Sequence, residues 1–332
     1  MNDLVSVSVA RLDALARQAL VKTGVTAQAA DATCQALMAA ERAGIASHGF
    51  ARLPFYLDQL TSGKLNPAAR PAITQRGAVL NVDADAGLAF PAVQAGLERG
   101  LALAEESGVV AVAIGRSHHF GMAGYYVEQA ARRGMLCLAF SNGPAAMAPW
   151  GGQTPLFGTN PIAFASPRLD DEPLVIDLSL SEVARGKIMI ASQKQQAIPF
   201  GWALDRHGEP TADPDAALAG SMAPTGGAKG AALALMVELL TAGLTGSNYG
   251  FQASSFFTAE GEPPLIAQLV LLFNPAFFPP GYLQHSEQLF SAMLAQHGVR
   301  LPGERRREVA RQNSDTLLMP GALVEQLRIR AG

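Results

Sequence analysis

The chain has 332 residues, of which 49% are hydrophobic and 16% charged, with a formal net charge of −3. That balance excludes a disordered chain, and the lack of a basic excess argues against a nucleic-acid binder, which displaces counterions with lysine and arginine. The two cysteines, Cys34 and Cys137, lie far apart and outside any CxxC pair, so neither a disulfide framework nor a thiolate metal site is expected, and a reduced compartment fits.

The opening MNDLVSVSVARLDALARQ lacks the basic start and apolar run of a signal peptide, and the longest apolar stretches are too short to span a bilayer. A cytoplasmic protein with no membrane partner is the expectation. Residues 9–22 put Val9, Leu12, Leu15, Ala16, Ala19 and Leu20 on one stripe, which predicts a helix stopped by Gly24. Thr26 caps a second helix to about Ala43, with Cys34, Leu37 and Met38 inward, and a third covers 50–62. The first 65 residues thus read as a helical layer, and the second helix runs into Ser47-His48-Gly49.

Beyond residue 75 the texture alternates. Strands are predicted at 78–85, 109–115, 135–142, 161–167, 173–179 and 266–275, and helices at 90–107, 122–133, 230–246, 281–298 and 321–330. The expectation is an α/β fold: a mixed central sheet with flanking helices and a helical N-terminal layer. Three segments follow: 1–70, helical and packing with the C-terminal helices; 71–300, the sheet that binds a cofactor; and 301–332, a basic turn and helix.

Several clusters can carry chemistry. His48 exchanges protons near neutral pH, Ser47 can orient its ring, and Arg52 would share its face if the segment were helical, with a planar fork suited to a carboxylate. The plain alternative is a helix end with a surface His and Arg. Ser117-His118-His119-Phe120-Gly121 follows a strand and opens a helix, where free N–H groups favour phosphate, but it lacks the G-x-G-x-x-G fingerprint. Its paired histidines lack a nearby carboxylate or cysteine to complete a metal site. Thr159 and Asn160 form a turn, Asp177-Leu178-Ser179 ends a strand, and Lys187 follows. Gly226-Gly227-Ala228-Lys229-Gly230 is in the wrong order for a phosphate loop, yet a glycine-rich turn with a lysine at a helix start suits an anion. Arg305, Arg306 and Arg307 read either as a solvated face or as a phosphate clamp, such as one for the 2′-phosphate of NADP.

In this order, the fragments Ser47-His48-Gly49 with Arg52, SHHF, PLFGTNP, Asp177-Leu178, Ala184-Arg185-Gly186-Lys187, GG-x-KG and Leu301-Pro302-Gly303 resemble the malate/L-lactate dehydrogenase-type oxidoreductases, a non-Rossmann family, over nearly the whole chain. Within it the chain looks most like the Δ1-piperideine-2-carboxylate/Δ1-pyrroline-2-carboxylate reductases. The resemblance implies a homodimer using NADPH, with NADH weaker. It implies His48 as proton donor, Ser47 as its relay partner, Arg52 on the substrate carboxylate and Thr159 touching substrate. It also implies NADPH held by His119, Phe120, Gly121, Met122 and Ala123; by Asp177, Leu178 and Ser179; by Ala228 and Lys229; and by Leu301, Pro302, Gly303, Glu304, Arg305, Arg306 and Arg307. Some members of the subgroup carry an acidic residue at the position of Lys187 as part of the relay. The lysine here leaves that role open, with Asp177 the other candidate to orient His48. The expected reaction is reduction of a cyclic imine carboxylate, and the alternative is oxidoreduction of an open-chain 2-hydroxy acid such as malate, lactate or ureidoglycolate.

Overall fold

The computed structural model describes residues 3–332. The chain opens with strand β1 (Leu4–Ser8), whose last residue caps α1 (Val9–Lys22): the Ser8 hydroxyl accepts from the Arg11 amide. The predicted cap at Thr26 starts α2 (Ala27–Arg42) in the same way, accepting from Ala29. After two short 3-10 turns comes α3 (Leu53–Ser62), closed by Gly63 in the left-handed conformation.

A seven-stranded sheet follows. It contains β2 (Ala72–Arg76), β3 (Val79–Asp83), β4 (Val109–Ser117), β5 (Leu136–Ser141), β6 (Ile162–Ser166), β7 (Leu174–Leu178) and β10 (Ile266–Phe273), in the spatial order β2-β3-β4-β10-β5-β6-β7. Only β3 and β4 run parallel, joined by the crossover helix α4 (Ala89–Ser107), and every other neighbouring pair is antiparallel. The sheet is therefore mixed, as expected, and lacks the repeated parallel crossovers of a doubly wound fold.

Strand alternation divides the core between the two faces. Val110, Val112 and Ile114 of β4, with Val270 and Leu272 of β10, pack under α4 and α5 (Ala123–Arg132). The intervening Ala113 and Leu269 face the opposite cluster with Met147 and with Ala234 and Val237 of α8 (Ala228–Glu238). That second face also carries α6 (Arg185–Gln193), the short pair β8 (Ala203–Leu204) and β9 (Ser221–Met222), and α7 (Pro214–Ala219).

The chain then runs through α9 (Tyr282–Leu294), α10 (Glu304–Gln312), β11 (Thr316–Pro320) and α11 (Gly321–Ala331). β11 pairs antiparallel with β1, from Leu4 opposite Pro320 to Ser8 opposite Thr316. Leu317, Met319 and Leu327 join Leu12, Leu20, Leu37 and Leu57 in one cluster.

Several elements differ from expectation. The predicted helix over 230–246 starts two residues earlier and widens into a π turn at Leu239–Gly243. The basic stretch after Leu301 is helix α10, started by Gly303 at φ 91°. The strands β1, β2 and β11 and the helices α6 and α7 were not anticipated. β1 and β2 expose most of their residues, and β11 buries only Leu317 and Met319 within the apolar run TLLMP, so none of the three stands out as a buried strand.

Candidate active site

Ser47, His48 and Arg52 do meet, but not on the regular helix that their spacing suggests. Two 3-10 turns, Ala46–His48 and Phe50–Arg52, are separated by Gly49, whose backbone is extended at ψ −147°. Gly49 lies against the carboxylate of Glu41, a buried residue of α2; a Cβ at 49 would sit 2.1 Å from Glu41 Oε2. The same oxygen accepts from the Phe50 amide at 2.9 Å. The chain is thereby folded back so that Arg52 Nε donates to Ser47 O at 2.7 Å, while the guanidinium lies over the Phe257 ring at 4.6 Å. Arg52 Nη1 is buried without a partner among the described residues, a donor that a bound anion would satisfy.

His48 Nδ1 and Ser47 Oγ share a hydrogen bond of 3.0 Å, and Nε2 has no partner among the described residues. Burial, then Arg52, then Arg306 lower the His48 pKa to about 4, so the free protein carries this imidazole neutral at pH 7. The ring stands 5.3 Å from that of His119. The turn 119–123 is thus at the site, and Gly121 approaches the His48 carbonyl.

Helix α3 builds the opposite wall. Its residues Tyr56 and Gln59 follow Arg52 at helical spacing. Tyr56 OH bonds His119 Nδ1 at 2.6 Å, while Gln59 bonds His118 Nε2 at 2.9 Å and donates to Phe256 O at 2.8 Å. Lys64 Nζ donates to the carbonyls of Ser255 and Thr258, holding the segment that carries Phe256 and Phe257. His118 and His119 are kept neutral chiefly by burial, with the positive charge of Arg52 a lesser cause for both. Tyr56, Gln59, Lys64, Phe256 and Phe257 were missed from the sequence. The signal that was available is the Arg52-Tyr56-Gln59 stripe.

Asp177, at the end of β7, joins three of the predicted segments. Its Oδ2 accepts from the Gly124 amide at 2.9 Å and pairs with Arg306 Nη1 at 3.1 Å, while Arg306 Nη2 donates to the Asp177 carbonyl at 2.7 Å. Asp177 therefore does not orient His48; its acceptors are spent on the start of α5 and on α10. Next to it is a cavity of about 410 Å3 bounded by α2, α5 and α10. Its lining includes Arg42, Arg132, Arg306, Arg307 and Arg311 against Glu128 and Glu172, an excess of guanidinium that suits a phosphate-bearing ligand. Met122, Gly124 and Gly303 line it too.

Other predicted residues stand differently. The side chain of Phe120 is buried and stacked on Tyr126, and Leu301 is buried with Leu174 and Phe290, so only their backbones are free for a ligand. Ala123 is likewise core, and Pro302 and Arg305 are exposed. Leu178 is exposed beside Ser179, whose hydroxyl meets that of Ser181 at 2.5 Å. Ala228 and Lys229 are exposed in the first turn of α8, and the Thr225 amide ties that turn to Leu180 O. The Thr159 carbonyl accepts from Leu180, and its turn hangs on Glu238 through Gly158 and Asn160. Lys187 is exposed near the Trp202 ring, at 5.9 Å, and makes no contact with Ser47 or His48 among the described residues, which leaves the relay without it. No group of three or more His, Cys, Asp or Glu side chains gathers as a metal site among the described residues.

The protein-family model described as malate/L-lactate dehydrogenase matches residues 7–328. A (2R)-3-sulfolactate dehydrogenase (NADP(+)) of Chromohalobacter salexigens is 59% identical over 325 residues, covering 98% of each chain. A Δ1-pyrroline-2-carboxylate reductase of Ancylobacter novellus is 39% identical over 335 residues, 99% of this chain and 98% of that one. The crystal structure of Δ1-piperideine-2-carboxylate reductase from Pseudomonas syringae superposes with a TM-score of 0.92 at 36% identity, covering 98% of this chain and 99% of that one. The fold and these relatives identify the chain as a member of the malate/L-lactate dehydrogenase family of oxidoreductases.

Proposed function

We propose that the chain is an NADP(H)-dependent dehydrogenase of an open-chain 2-hydroxy acid carrying a second acidic group, of the 3-sulfolactate class. The observation that carries this reading is the 59% identity, over almost the full length, to a sulfolactate dehydrogenase that uses NADP(+), against 39% for an imine reductase. The site chemistry fits either substrate, because an acid/base beside a carboxylate clamp serves C–O and C–N bonds alike.

The turns at 119–123, 177–179, 228–229 and 301–307 would hold NADP, which would supply the hydride acceptor. The excess of arginine around the Asp177 cavity supports that fit for a phosphorylated nucleotide. Arg52 takes the substrate carboxylate on its unpaired Nη1, and Thr159 supplies a polar contact. In oxidation, His48 donates its Nδ1–H to Ser47 Oγ and accepts the C2 hydroxyl proton at Nε2; in reduction the protonated ring returns it. A neutral resting imidazole is the form that oxidation requires, and bound anions favour its protonation afterwards. Segment 1–70 then presents the acid/base, 71–300 carries three of the cofactor turns, and 301–332 supplies the fourth. A homodimer is part of this reading: α8 and the π turn after it direct Leu233, Leu235, Met236 and Leu239 outward, an apolar face that a second copy would cover. The compartment is the cytoplasm, consistent with there being no helix among the described residues long and apolar enough to cross a membrane.

The test is a rate comparison. NADP(+) reduction with (2R)-3-sulfolactate is expected to exceed, in kcat/KM, both malate oxidation and NADPH oxidation with Δ1-pyrroline-2-carboxylate. Faster turnover of the cyclic imine would restore the imine reductase reading, which the 39%-identical relative favours. His48→Ala is expected to lose about 10²–10⁴-fold in kcat, and Arg52→Ala chiefly to raise KM.

A further inference from the structure

A guanidinium drawn out of water ordinarily pairs with a carboxylate. Arg52 pairs with none among the described residues, and the one charge-bearing group that acts on it is the phenol of Tyr56. An internal carboxylate would compete with that of the substrate. What compensates Arg52 instead is the Ser47 carbonyl on Nε, at 2.7 Å, and the face of the Phe257 ring, 4.6 Å from Cζ. The N–H groups of a guanidinium lie in its plane, so a ring over its face attracts the charge without occupying a donor. Nη1 stays unpartnered among the described residues.

Phe257 is not a core residue. It is 40% exposed, in a stretch, 251–260, that forms neither helix nor strand, so burial of apolar area does not account for its placement. Helix α3 and the residues just after it fix that stretch by its main chain. Gln59 Nε2 donates to Phe256 O at 2.8 Å, Ser62 Oγ to Ala259 O at 2.9 Å, and Lys64 Nζ to Ser255 O and Thr258 O at 2.8 and 3.0 Å. Phe257 also meets Phe55 of α3 edge to face, with ring centroids 5.4 Å apart at 87°. Arg52 directly precedes α3, so one helix registers both the guanidinium and the ring laid over it. The four bonds go to carbonyl groups, which every residue type supplies. They set the path of the segment and leave the side chain at 257 to be chosen for its effect on Arg52.

We infer that Phe257 is a positioning residue for the carboxylate clamp: its ring fixes the plane of the Arg52 guanidinium and aims Nη1 at the substrate carboxylate. The ring also keeps water off one face of the cation. The substrate then has neither an internal partner to displace nor a mobile side chain to order, and both savings appear as tighter binding. The carboxylate contact is the same before and during hydride transfer, so its strength is read in KM rather than in kcat. This inference rests on the reading of Arg52 as the clamp and adds the residue that sets it.

The experiment measures kcat, substrate KM and cofactor KM for Phe257→Leu, Phe257→Tyr, Arg52→Ala and the double variant Arg52→Ala/Phe257→Leu. The substrates are 3-sulfolactate and Δ1-pyrroline-2-carboxylate. Both carry the carboxylate, so the test reads on whichever the protein turns over. Leu keeps the bulk and removes the aromatic face; Tyr keeps the face. Phe257→Leu is expected to raise substrate KM about five- to thirtyfold, the span of a partly desolvated cation–π contact. Its kcat and cofactor KM are expected within about twofold of wild type. Phe257→Tyr is expected to keep substrate KM within about threefold of wild type. In the Arg52→Ala background the change to Leu is expected to add less than about twofold, because no cation remains to be aimed. Equal rises for Leu and Tyr would overturn the proposal in favour of simple packing. A full additional rise in the Arg52→Ala background would overturn it in favour of a direct contact between ring and substrate. A fall in kcat at unchanged KM would overturn it in favour of an effect on proton transfer. The parent reading is separated by Arg52→Ala: wild-type substrate KM in that variant removes the clamp itself, whereas a raised KM there beside wild-type KM in Phe257→Leu removes only the role of Phe257.

Discussion

Two loops border the site, and each hangs on a buried glutamate by backbone amides, but the two suspensions differ. On the sheet side, Glu238 of α8 accepts from the amides of Gly158 and Gly250, at 3.3 and 3.2 Å, and from the side chains of Asn142 and Asn160, both at 3.1 Å. On the helical side, Glu41 holds the Ser47–Arg52 loop by one amide, that of Phe50, and by the packing of Gly49 on its carboxylate. Burial is the largest influence on both carboxyls and raises both pKa values from the ordinary glutamate value. The multiply bonded turn is a fixed wall. The loop that carries His48 is held to its glutamate by one hydrogen bond and one packing contact.

The largest effect that would break this contrast is in stability. Glu238→Ala leaves the Gly158 and Gly250 amides without acceptors in the interior, and a loss of about 2–5 kcal/mol is expected in chemical denaturation. A loss below about 1 kcal/mol would mean that the turn is held by other contacts. Next comes Gly49→Ala, whose new methyl would press on Glu41 Oε2. Overpacking of this kind costs about 1–3 kcal/mol, and because the loop is singly held, kcat is expected to fall further than stability does. Wild-type kcat in a well-folded Gly49→Ala protein would show that the loop adjusts freely.

The smallest effect is a pH dependence. A carboxyl whose folded pKa is raised contributes stability that is fully present below its unfolded pKa and is lost as pH rises through the folded value. Glu41→Gln lacks that loss. The stability of the variant relative to wild type is therefore expected to improve as pH rises from about 4 toward 7, measured by denaturation midpoints across that range. A gap that stays flat with pH would mean that Glu41 titrates as it does in the unfolded chain. For activity, neutral His48 places the acid limb of kcat/KM for alcohol oxidation near its pKa of about 4. A limb near 6.5 would mean that His48 titrates as an ordinary imidazole, without the effect of burial and Arg52.

Much of this was legible in the sequence. The cap at Thr26 and the apolar runs of β4 and β10 signal their elements through local chemistry and periodicity. So do the fragments that join Ser47, His48 and Arg52 to distant turns. What escaped depends on partners far away in the chain. β1 and β11 are defined by each other, and neither alone has the pattern of a buried strand. Helix α10 looked like a basic turn because its arginines have no apolar stripe among them; they are used by Asp177 and Pro173. The Arg52-Tyr56-Gln59 stripe was visible as spacing, but its meaning came only with His118, His119 and Phe256 on the facing side. The expectation that His48 and Arg52 share a helical face failed for a tertiary reason, the seating of Gly49 on Glu41.

The pairing of β1 with β11 has a consequence during synthesis. The layer bearing His48 takes Leu317, Met319 and Leu327 into its own core, so it cannot finish packing until residues some three hundred positions later have left the ribosome. The sheet can form earlier, and a nascent chain halted before β11 would hold its turns at 119–123 and 177–179 while the Ser47–Arg52 loop stayed unanchored.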